Sequence, residues 1–214
     1  MNKNLTELVM ILDMSGSMQP LQYDTIGGYN TLIEEQKKEE GEAFVTTVLF
    51  DDRYIVLHDR TNIKDVELLT DRQYVPRGMT AMLDAVGRTI VSIGQKLAEM
   101  PEDERPGKVM VTIITDGYEN ASREYSWASV QKMIKEQREK YNWIFTFIGA
   151  DIDNIKVSDN LGIDRSMSKK YTKNAAGSKS VYASVSNSMK KVRNAQVVTT
   201  DLYCEVAKEL DEIE

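Results

Sequence analysis

The residues with the clearest chemical potential lie in the stretch DMSGSM at positions 13–18. Asp13, Ser15 and Ser17 alternate there with other residues. In an extended or loosely looped chain alternate side chains point the same way, so these three side chains face a common point. Gly16 between them permits a backbone bend that a residue with a Cβ atom resists. The spacing therefore indicates a small cluster of oxygen donors.

Two further stretches carry side chains of the same kind. TDGYEN at 115–120 places Asp116 just after an apolar run, and PRGMTAMLDAV at 76–86 places Thr80 where a helical pattern begins. The three stretches together supply two carboxylates and three hydroxyls. Such hard oxygen donors suit Mg²⁺, Mn²⁺ or Ca²⁺ rather than zinc or copper, and we prefer Mg²⁺ because the hydroxyls outnumber the carboxylates. The low negative charge leaves the ion electrophilic, with a position open to an acidic group of another molecule.

The elements that must position these residues alternate along the chain. Five short segments rich in Val, Ile and Phe are predicted to be strands. They span residues 8–12, 43–50, 54–58, 109–114 and 143–150. A weaker strand is predicted within 166–172, where lysines suit a sheet edge. The tight turn DDR before Tyr54 predicts a hairpin, which makes one edge strand antiparallel.

Four segments between the strands show the apolar stripe of a helix that packs on a sheet. The stripes consist of Ile26, Tyr29 and Ile33; Leu83, Val86, Ile90, Ile93 and Leu97; Trp127, Val130 and Ile134; and Val181, Val185, Met189 and Val192. The alternation predicts an α/β fold: a three-layer, doubly wound, Rossmann-like sandwich with a mostly parallel central sheet. Ligands of such sheets bind at the carboxyl ends of the strands, where the strand order reverses. We therefore expect the three stretches to meet there.

The three stretches also resemble a known family. DMSGSM (13–18), GMTAMLDAV (78–86) and ITDGYEN (114–120) are similar, in order, spacing and context, to the DxSxS, GxTx and TDG motifs of the von Willebrand factor A (vWA) domain. Those motifs build the metal-ion-dependent adhesion site, or MIDAS, of that family. The resemblance covers about residues 5 to 193 and implies the vWA fold.

The resemblance also implies roles for the five residues. Ser15, Ser17 and Thr80 would bind the ion directly, and Asp13 and Asp116 would bind it directly or through water. An Asp or Glu of a partner protein would complete the coordination. The stretches TIGGYN, EEGEAFVTTVLFDD and LGID further resemble small stand-alone bacterial members, including those found near tellurium-resistance proteins.

Four residues near the motifs are predicted to form a rim that contacts the partner: Met18, Met79, Tyr118 and Glu119. Methionine makes a pliable apolar surface that tolerates varied partners. The alternative is that at least two of Met18, Met79 and Met82 belong to the core. Tyr118 and Glu119 have the alternative of an unengaged loop.

Composition limits the remaining possibilities. The chain has 214 residues, 41% apolar and 29% charged, which is typical of a globular protein. We predict one domain over 5–193 and an acidic, amphipathic, helical tail over 194–214. A single cysteine, Cys204, excludes an internal disulfide, and a single histidine, His58, argues against a His-based metal site. Because we find no long apolar run and no signal peptide, we expect a cytoplasmic protein without a membrane contact.

Two alternatives to a metal-dependent protein-binding module remain open. The segment 165–200 carries eight basic residues and no acidic one, which leaves −15 on the rest of a chain of net charge −7. It would suit a nucleic-acid adaptor, although the overall acidity makes a nucleic-acid partner the weaker interpretation. A Mg²⁺-dependent phosphoryl-transfer enzyme is the other alternative. We expect no enzyme, because Ser15 stands where phosphatases of the haloacid dehalogenase type have a second aspartate. The site also lacks a histidine, a positioned lysine or arginine beside the motifs and a phosphate-cradling glycine loop.

Overall fold

The structure is a computed structural model that describes residues 1–150 and 153–213. Residues 151 and 152 of the predicted domain and Glu214 of the predicted tail lie outside this description. The described residues form six strands: β1 (Asn2–Asp13), β2 (Glu42–Phe50), β3 (Tyr54–Asn62), β4 (Pro106–Thr115), β5 (Ile144–Ala150) and β6 (Ser168–Tyr171). They also form six α-helices: α1 (Gln22–Gln36), α2 (Met82–Glu99), α3 (Trp127–Tyr141), α4 (Asn154–Leu161), α5 (Ala175–Asn194) and α6 (Thr200–Asp211).

The strands make one sheet in the order β3-β2-β1-β4-β5-β6. β3 is antiparallel to β2 at one edge, and the other neighbours are parallel. The predicted fold class is therefore confirmed, including the antiparallel edge strand. The chain leaves β1 toward β2 on one side and returns through β4 to the other side. The strand order thus reverses between β1 and β4, which opens a crevice at their carboxyl ends.

The central strand is longer than predicted. Leu8 to Leu12 are each at most 1% exposed, because helices cover both faces of the sheet. The strand nevertheless begins at Asn2 and includes Glu7, which is fully buried. The carboxylate of Glu7 accepts a hydrogen bond of 2.9 Å from Arg60 Nε on β3. An ion pair formed across the sheet places a charged residue inside a strand, and an apolar pattern does not predict it.

The helices form the two outer layers. α1, α5 and α6 pack together on one face, and α2, α3 and α4 pack together on the other. Gly28 permits close contact of α1 with α5, since a Cβ at this position would lie 2.2 Å from the ring of Tyr182. α4 was not predicted, because its eight residues bury only Val157 and Leu161 as apolar side chains. No helix among the described residues is both long and apolar enough to cross a membrane.

The C-terminal segment is part of the packed structure. α6 buries Leu202, Val206 and Leu210 in the same hydrophobic core as the sheet. The ammonium of Lys191 on α5 lies 3.6 Å from the carboxylate of Glu209 on α6. The acidic segment therefore packs against the basic helix α5. Cys204 is exposed on α6.

Candidate metal centre

The five predicted ligand residues lie on the loops at the carboxyl ends of β1 and β4 and just before α2. Ser15 Oγ and Ser17 Oγ are 3.0 Å apart. Ser17 Oγ donates a hydrogen bond of 2.5 Å to Asp116 Oδ1, which joins the loop after β1 to the loop after β4. Ser15, Asp13, Thr80 and Asp116 are buried and Ser17 is exposed, so the cluster opens to solvent on the side of Ser17.

Gly117 shows how closely the oxygens converge. An ideal Cβ built on this glycine would lie 2.8 Å from Thr80 Oγ1, 3.3 Å from Ser17 Oγ and 3.5 Å from Asp13 Oδ2. Side-chain oxygens from the loop after β1 and the loop before α2 therefore meet at one small space beside the loop after β4. Only a residue without a side chain leaves that space open.

Asp13 is held by the protein through both carboxylate oxygens. Oδ1 accepts a hydrogen bond of 2.7 Å from the backbone N–H of Ser15, and Oδ2 accepts one of 2.5 Å from Thr115 Oγ1. Burial raises the pKa of Asp13 to about 6, and the nearby charge of Asp116 acts in the same direction, against these hydrogen bonds. Two buried carboxylates this close repel each other, so a cation between them would be favourable.

Backbone hydrogen bonds fix the first loop on the second. The N–H of Gly16 donates to the carbonyl of Gly78 at 3.2 Å, and the N–H of Arg77 donates to the carbonyl of Met14 at 2.9 Å. Tyr74, which is fully buried, donates its hydroxyl to the carbonyl of Asp13 at 2.5 Å. The first two ligand loops are thus positioned as one unit.

The third loop is fixed on the second through Asn120 and Glu119. Asn120 Oδ1 accepts from the N–H of Thr80 at 2.9 Å, and the N–H of Asn120 donates to the carbonyl of Thr80 at 3.0 Å. Glu119 Oε2 accepts from the N–H of Leu83 in the first turn of α2 at 2.9 Å. Both oxygens of Glu119 also accept from Ser122. The carboxylate of Glu119 therefore caps a helix, and its predicted rim role stays a prediction.

The methionines divide between core and surface. Met18 is 1% exposed, because residues 16–21 form a 3₁₀ helix that packs its side chain into the core. The assignment of Met18 to the rim is therefore wrong. Met82 is also 1% exposed, so two of the three methionines belong to the core. Met79 and Tyr118 are 50% and 57% exposed, as a rim requires.

Lys173 is a site residue that the sequence analysis missed. Its Nζ forms an ion pair with Asp116 Oδ2, so a lysine does stand beside the motifs, against our expectation. It comes from the loop between β6 and α5, far along the chain from Asp116. This loop also follows the carboxyl end of a strand, and the rule that directed attention to β1 and β4 would have included it.

The donor set fits a hard divalent cation. Oxygens at neighbouring corners of an octahedral Mg²⁺ ion lie about 3.0 Å apart, because each metal–oxygen distance is about 2.1 Å. The hydroxyls of Ser15 and Ser17 show this separation. Within the described part of the chain, no three His, Cys, Asp or Glu side chains are grouped as metal ligands usually are. Any ion held here therefore depends on the hydroxyls.

Comparison with solved structures identifies the fold. No family model matches the sequence, and no curated protein matches it. The vWF domain of the type V pili tip protein Mfa5 from Porphyromonas gingivalis has a TM-score of 0.64 at 11% identity, over 91% of this chain and 98% of that chain. Proximal thread matrix protein 1 of the mussel byssus, with a zinc-occupied MIDAS motif, has a TM-score of 0.58 at 17% identity, over 85% of this chain and 44% of that chain.

A third structure, manganese-loaded TRAP protein of Plasmodium vivax, has a TM-score of 0.55 at 16% identity, over 80% of this chain and 70% of that chain. This protein spans less than half the length of several of the chains that it matches. At such identities the likeness concerns the fold. The protein has the fold of the von Willebrand factor A domain.

Proposed function

We propose that this protein is a metal-ion-dependent protein-binding module. Ser15, Ser17 and Thr80 would hold a divalent cation, with Asp13 and Asp116 beside it. The cation would capture an Asp or Glu of a partner protein. Mg²⁺ is our preferred ion, with Mn²⁺ and Ca²⁺ as substitutes, since all three are bound by oxygen.

The observation that carries this proposal is the convergence of side-chain oxygens from the loop after β1 and the loop before α2 on Gly117 of the loop after β4. Thr80 Oγ1, Ser17 Oγ and Asp13 Oδ2 all lie within 3.5 Å of the position that a Cβ on Gly117 would occupy. Serine and aspartate at a strand end otherwise serve turns and helix caps. A turn or a cap needs one such oxygen at a time and gives no reason for three loops to meet.

The residues of the site would have different roles in binding the ion and the partner. The two carboxylates supply a charge of −2, which only balances the charge of a divalent ion, and the three hydroxyl ligands are neutral. The bound ion would therefore keep a coordination position for an incoming carboxylate and act on it as a Lewis acid. Asp13, fixed by Ser15 and Thr115, orients the first loop. Ser17, the exposed member of the set, lies on the side from which a partner would approach.

The surroundings suit a protein partner. Met79, Tyr118 and Val75 lie on the ligand loops or directly beside them, and between 45% and 57% of each is exposed. Apolar and aromatic side chains around one strong polar contact are typical of the centre of a protein interface. We therefore expect the partner to present its acidic residue next to apolar side chains.

Affinity capture from the native cell extract tests the proposal. Wild-type protein should retain a partner in Mg²⁺ and release it in EDTA, and Ser17→Ala should retain none. Ser166→Ala is the matched control, since Ser166 is also exposed and donates to an aspartate, Asp164, at 2.7 Å. Ser166 precedes β6 and therefore lies at the amino ends of the parallel strands, away from the candidate centre. Capture of the same protein in EDTA and by Ser17→Ala would refute the proposal.

One argument against the enzyme alternative is removed, and another argument against it is added. The contact of Lys173 with Asp116 removes the objection that no lysine stands near the motifs. Asp13, however, is fully buried, and both its oxygens accept hydrogen bonds from the protein. A nucleophilic aspartate needs a free oxygen that faces the substrate, so we keep the binding module as the better proposal.

The basic segment 165–200 offers little free charge to nucleic acid. Six of its eight basic residues make internal contacts: Arg165 with Asp159, Lys169 with Asp211, Lys173 with Asp116, Lys190 with Glu35, Lys191 with Glu209, and Arg193 with backbone carbonyls. Phosphate binding depends on a concentrated positive field, which such pairing weakens. A bacterial origin, a cytoplasmic location and a kinship with members found near tellurium-resistance proteins stay predictions from the sequence.

A further inference from the structure

Lys173 places a positive charge inside the candidate metal centre. It directly precedes Asn174, whose side chain caps α5 by accepting from the N–H of Gly177 at 2.8 Å. The cap fixes the loop that carries Lys173. The lysine side chain is 23% exposed, and the aspartate side chain that it meets, Asp116, is 0% exposed. The ammonium group therefore lies mostly within the protein.

The two oxygens of Asp116 have different partners. Oδ1 accepts the hydrogen bond of Ser17, which is itself a predicted ligand. Oδ2 is buried and, among the described residues, receives no hydrogen bond of normal geometry, although the ammonium of Lys173 contacts it. Asp116 thus faces Ser17 with one oxygen and the ammonium of Lys173 with the other.

The charge of the centre follows from these residues. Asp13 and Asp116 contribute −2 and Lys173 contributes +1, so the centre carries −1 before it binds an ion. A divalent cation changes this charge to +1. Without the lysine, the loaded centre would be neutral. Like charges a few ångströms apart repel strongly when they are partly buried, and opposite charges attract equally strongly.

We propose that Lys173 is a fixed counter-charge that weakens the binding of the divalent cation and strengthens the binding of a carboxylate to the loaded centre. The ammonium competes with the cation for Asp116. Once the cation is bound, the extra positive charge favours an anionic guest. Lys173 thus lowers the affinity of the centre for the metal ion and raises the affinity of the loaded centre for the partner's carboxylate. This inference rests on the proposed function, because it assumes that the centre holds a metal ion.

The first measurement is the dissociation constant of Mn²⁺, which is obtained from the electron paramagnetic resonance signal of the free ion. Lys173→Met keeps the length of the side chain and removes its charge. It should bind Mn²⁺ about tenfold more tightly than wild type. Lys173→Arg, which keeps the charge, should bind Mn²⁺ with an affinity within about twofold of wild type. If Lys173→Met does not fold, Lys173→Gln takes its place.

Lys170→Met is the matched control. Lys170 is an exposed lysine on β6, three residues away in the chain, and its removal changes the net charge by the same amount. Its Mn²⁺ affinity should stay within about twofold of wild type, because exposed charges are screened by salt. A gain in Lys170→Met equal to that in Lys173→Met would show a general charge effect and would overturn the proposal.

The second measurement is the dissociation constant of acetate, the carboxylate probe, from protein saturated with Mn²⁺. The relaxation rate of water protons reports acetate binding. Lys173→Met should bind acetate about tenfold more weakly than wild type. Equal Mn²⁺ and acetate affinities in wild type and Lys173→Met would overturn the counter-charge and leave the proposed function intact. Absence of Mn²⁺ binding in wild type and in every variant would overturn both.

Discussion

At the scale of single residues, two glycines determine whether the candidate centre can form. Gly78 has a φ of +70°, and a Cβ there would lie 2.2 Å from Asp52 Oδ1, so the loop before Thr80 requires glycine for its conformation and for space. Gly117 has no such backbone requirement, but a Cβ there would enter the space between the ligand oxygens. The first glycine is needed for the loop, and the second for the space that an ion would fill.

Gly117→Ala should therefore impair metal binding more than folding. The added methyl group would lie 2.8 Å from Thr80 Oγ1 and would occupy the space in which an ion would lie. We expect the Mn²⁺ affinity to fall at least about tenfold, within the range of about 1–3 kcal/mol for overpacking. Titration with Mn²⁺ measures the affinity, and thermal unfolding verifies the fold.

Gly94→Ala is the control for this substitution. A Cβ at Gly94 on α2 would contact nothing within 4 Å, so Mn²⁺ affinity should not change there. If Gly117→Ala binds Mn²⁺ as tightly as wild type does, the ion does not lie among these oxygens.

Each motif could be recognised within one short stretch of sequence, whereas the contacts that its residues make with distant parts of the chain could not. Lys173 and Asp116 are 57 positions apart in the sequence, and only the packing of the loop after β6 brings them together. Met18 was misassigned because a sequence that follows a strand does not reveal the 3₁₀ helix that turns its side chain inward. The capping role of Glu119 was not predicted because Leu83, whose N–H it accepts from, lies 36 residues earlier in the chain.

At the scale of elements, α2 and the loop that follows β4 stabilise each other. The carboxylate of Asp84, in the first turn of α2, accepts from the N–H groups of Arg123, Glu124 and Tyr125, each at 2.9 Å. Burial alone would raise the pKa of Asp84, but these hydrogen bonds outweigh it and lower the pKa below its usual value. The sequence left open whether Asp84 holds a loop or is solvated, and the structure shows that it holds the loop.

Asp84→Asn should destabilise the protein by about 2 kcal/mol. An asparagine has one carbonyl oxygen in place of two carboxylate oxygens, and its amide group would face backbone N–H donors. Urea unfolding measures the loss. Asp71→Asn, at an exposed position before α2, should change the stability by less than about 0.5 kcal/mol. Equal stabilities of Asp84→Asn and wild type would show that the three hydrogen bonds do not hold the loop.

The predictability of elements follows their apolar pattern. The five strands and four helices with clear patterns are present, and all of them except the edge strand β3 bury one stripe or one continuous run. α4 escaped prediction because eight residues give too few repeats of the helical period. The start of β1 escaped because its first residues are polar, including Glu7, which Arg60 neutralises.

At the scale of the whole molecule, Glu7 links stability to pH. Burial raises its pKa to about 7 in the folded protein, although Arg60 and Thr46 act against the increase. The unfolded chain loses this proton near pH 4.5, so the folded protein binds more protons between these values. The stabilisation is therefore complete below pH 4.5 and is lost as the pH rises through 7.

Comparison of wild type with Glu7→Gln isolates this contribution. The free energy of unfolding of wild type minus that of the variant should fall by about 3 kcal/mol between pH 4.5 and pH 8. Urea unfolding at several pH values measures it. Glu42→Gln, which changes an exposed carboxylate on β2, should show no comparable slope. A difference between wild type and Glu7→Gln that is constant with pH would contradict the raised pKa.

The central claim is that hydroxyls and carboxylates from three loops hold one divalent cation, and anomalous diffraction from crystals grown in Mn²⁺ tests it most directly. We expect one anomalous peak in the crevice between β1 and β4, about 2.0–2.6 Å from the hydroxyl oxygens of Ser15, Ser17 and Thr80. Crystals without a peak there, in which these hydroxyls bond only to neighbouring protein groups, would contradict the account.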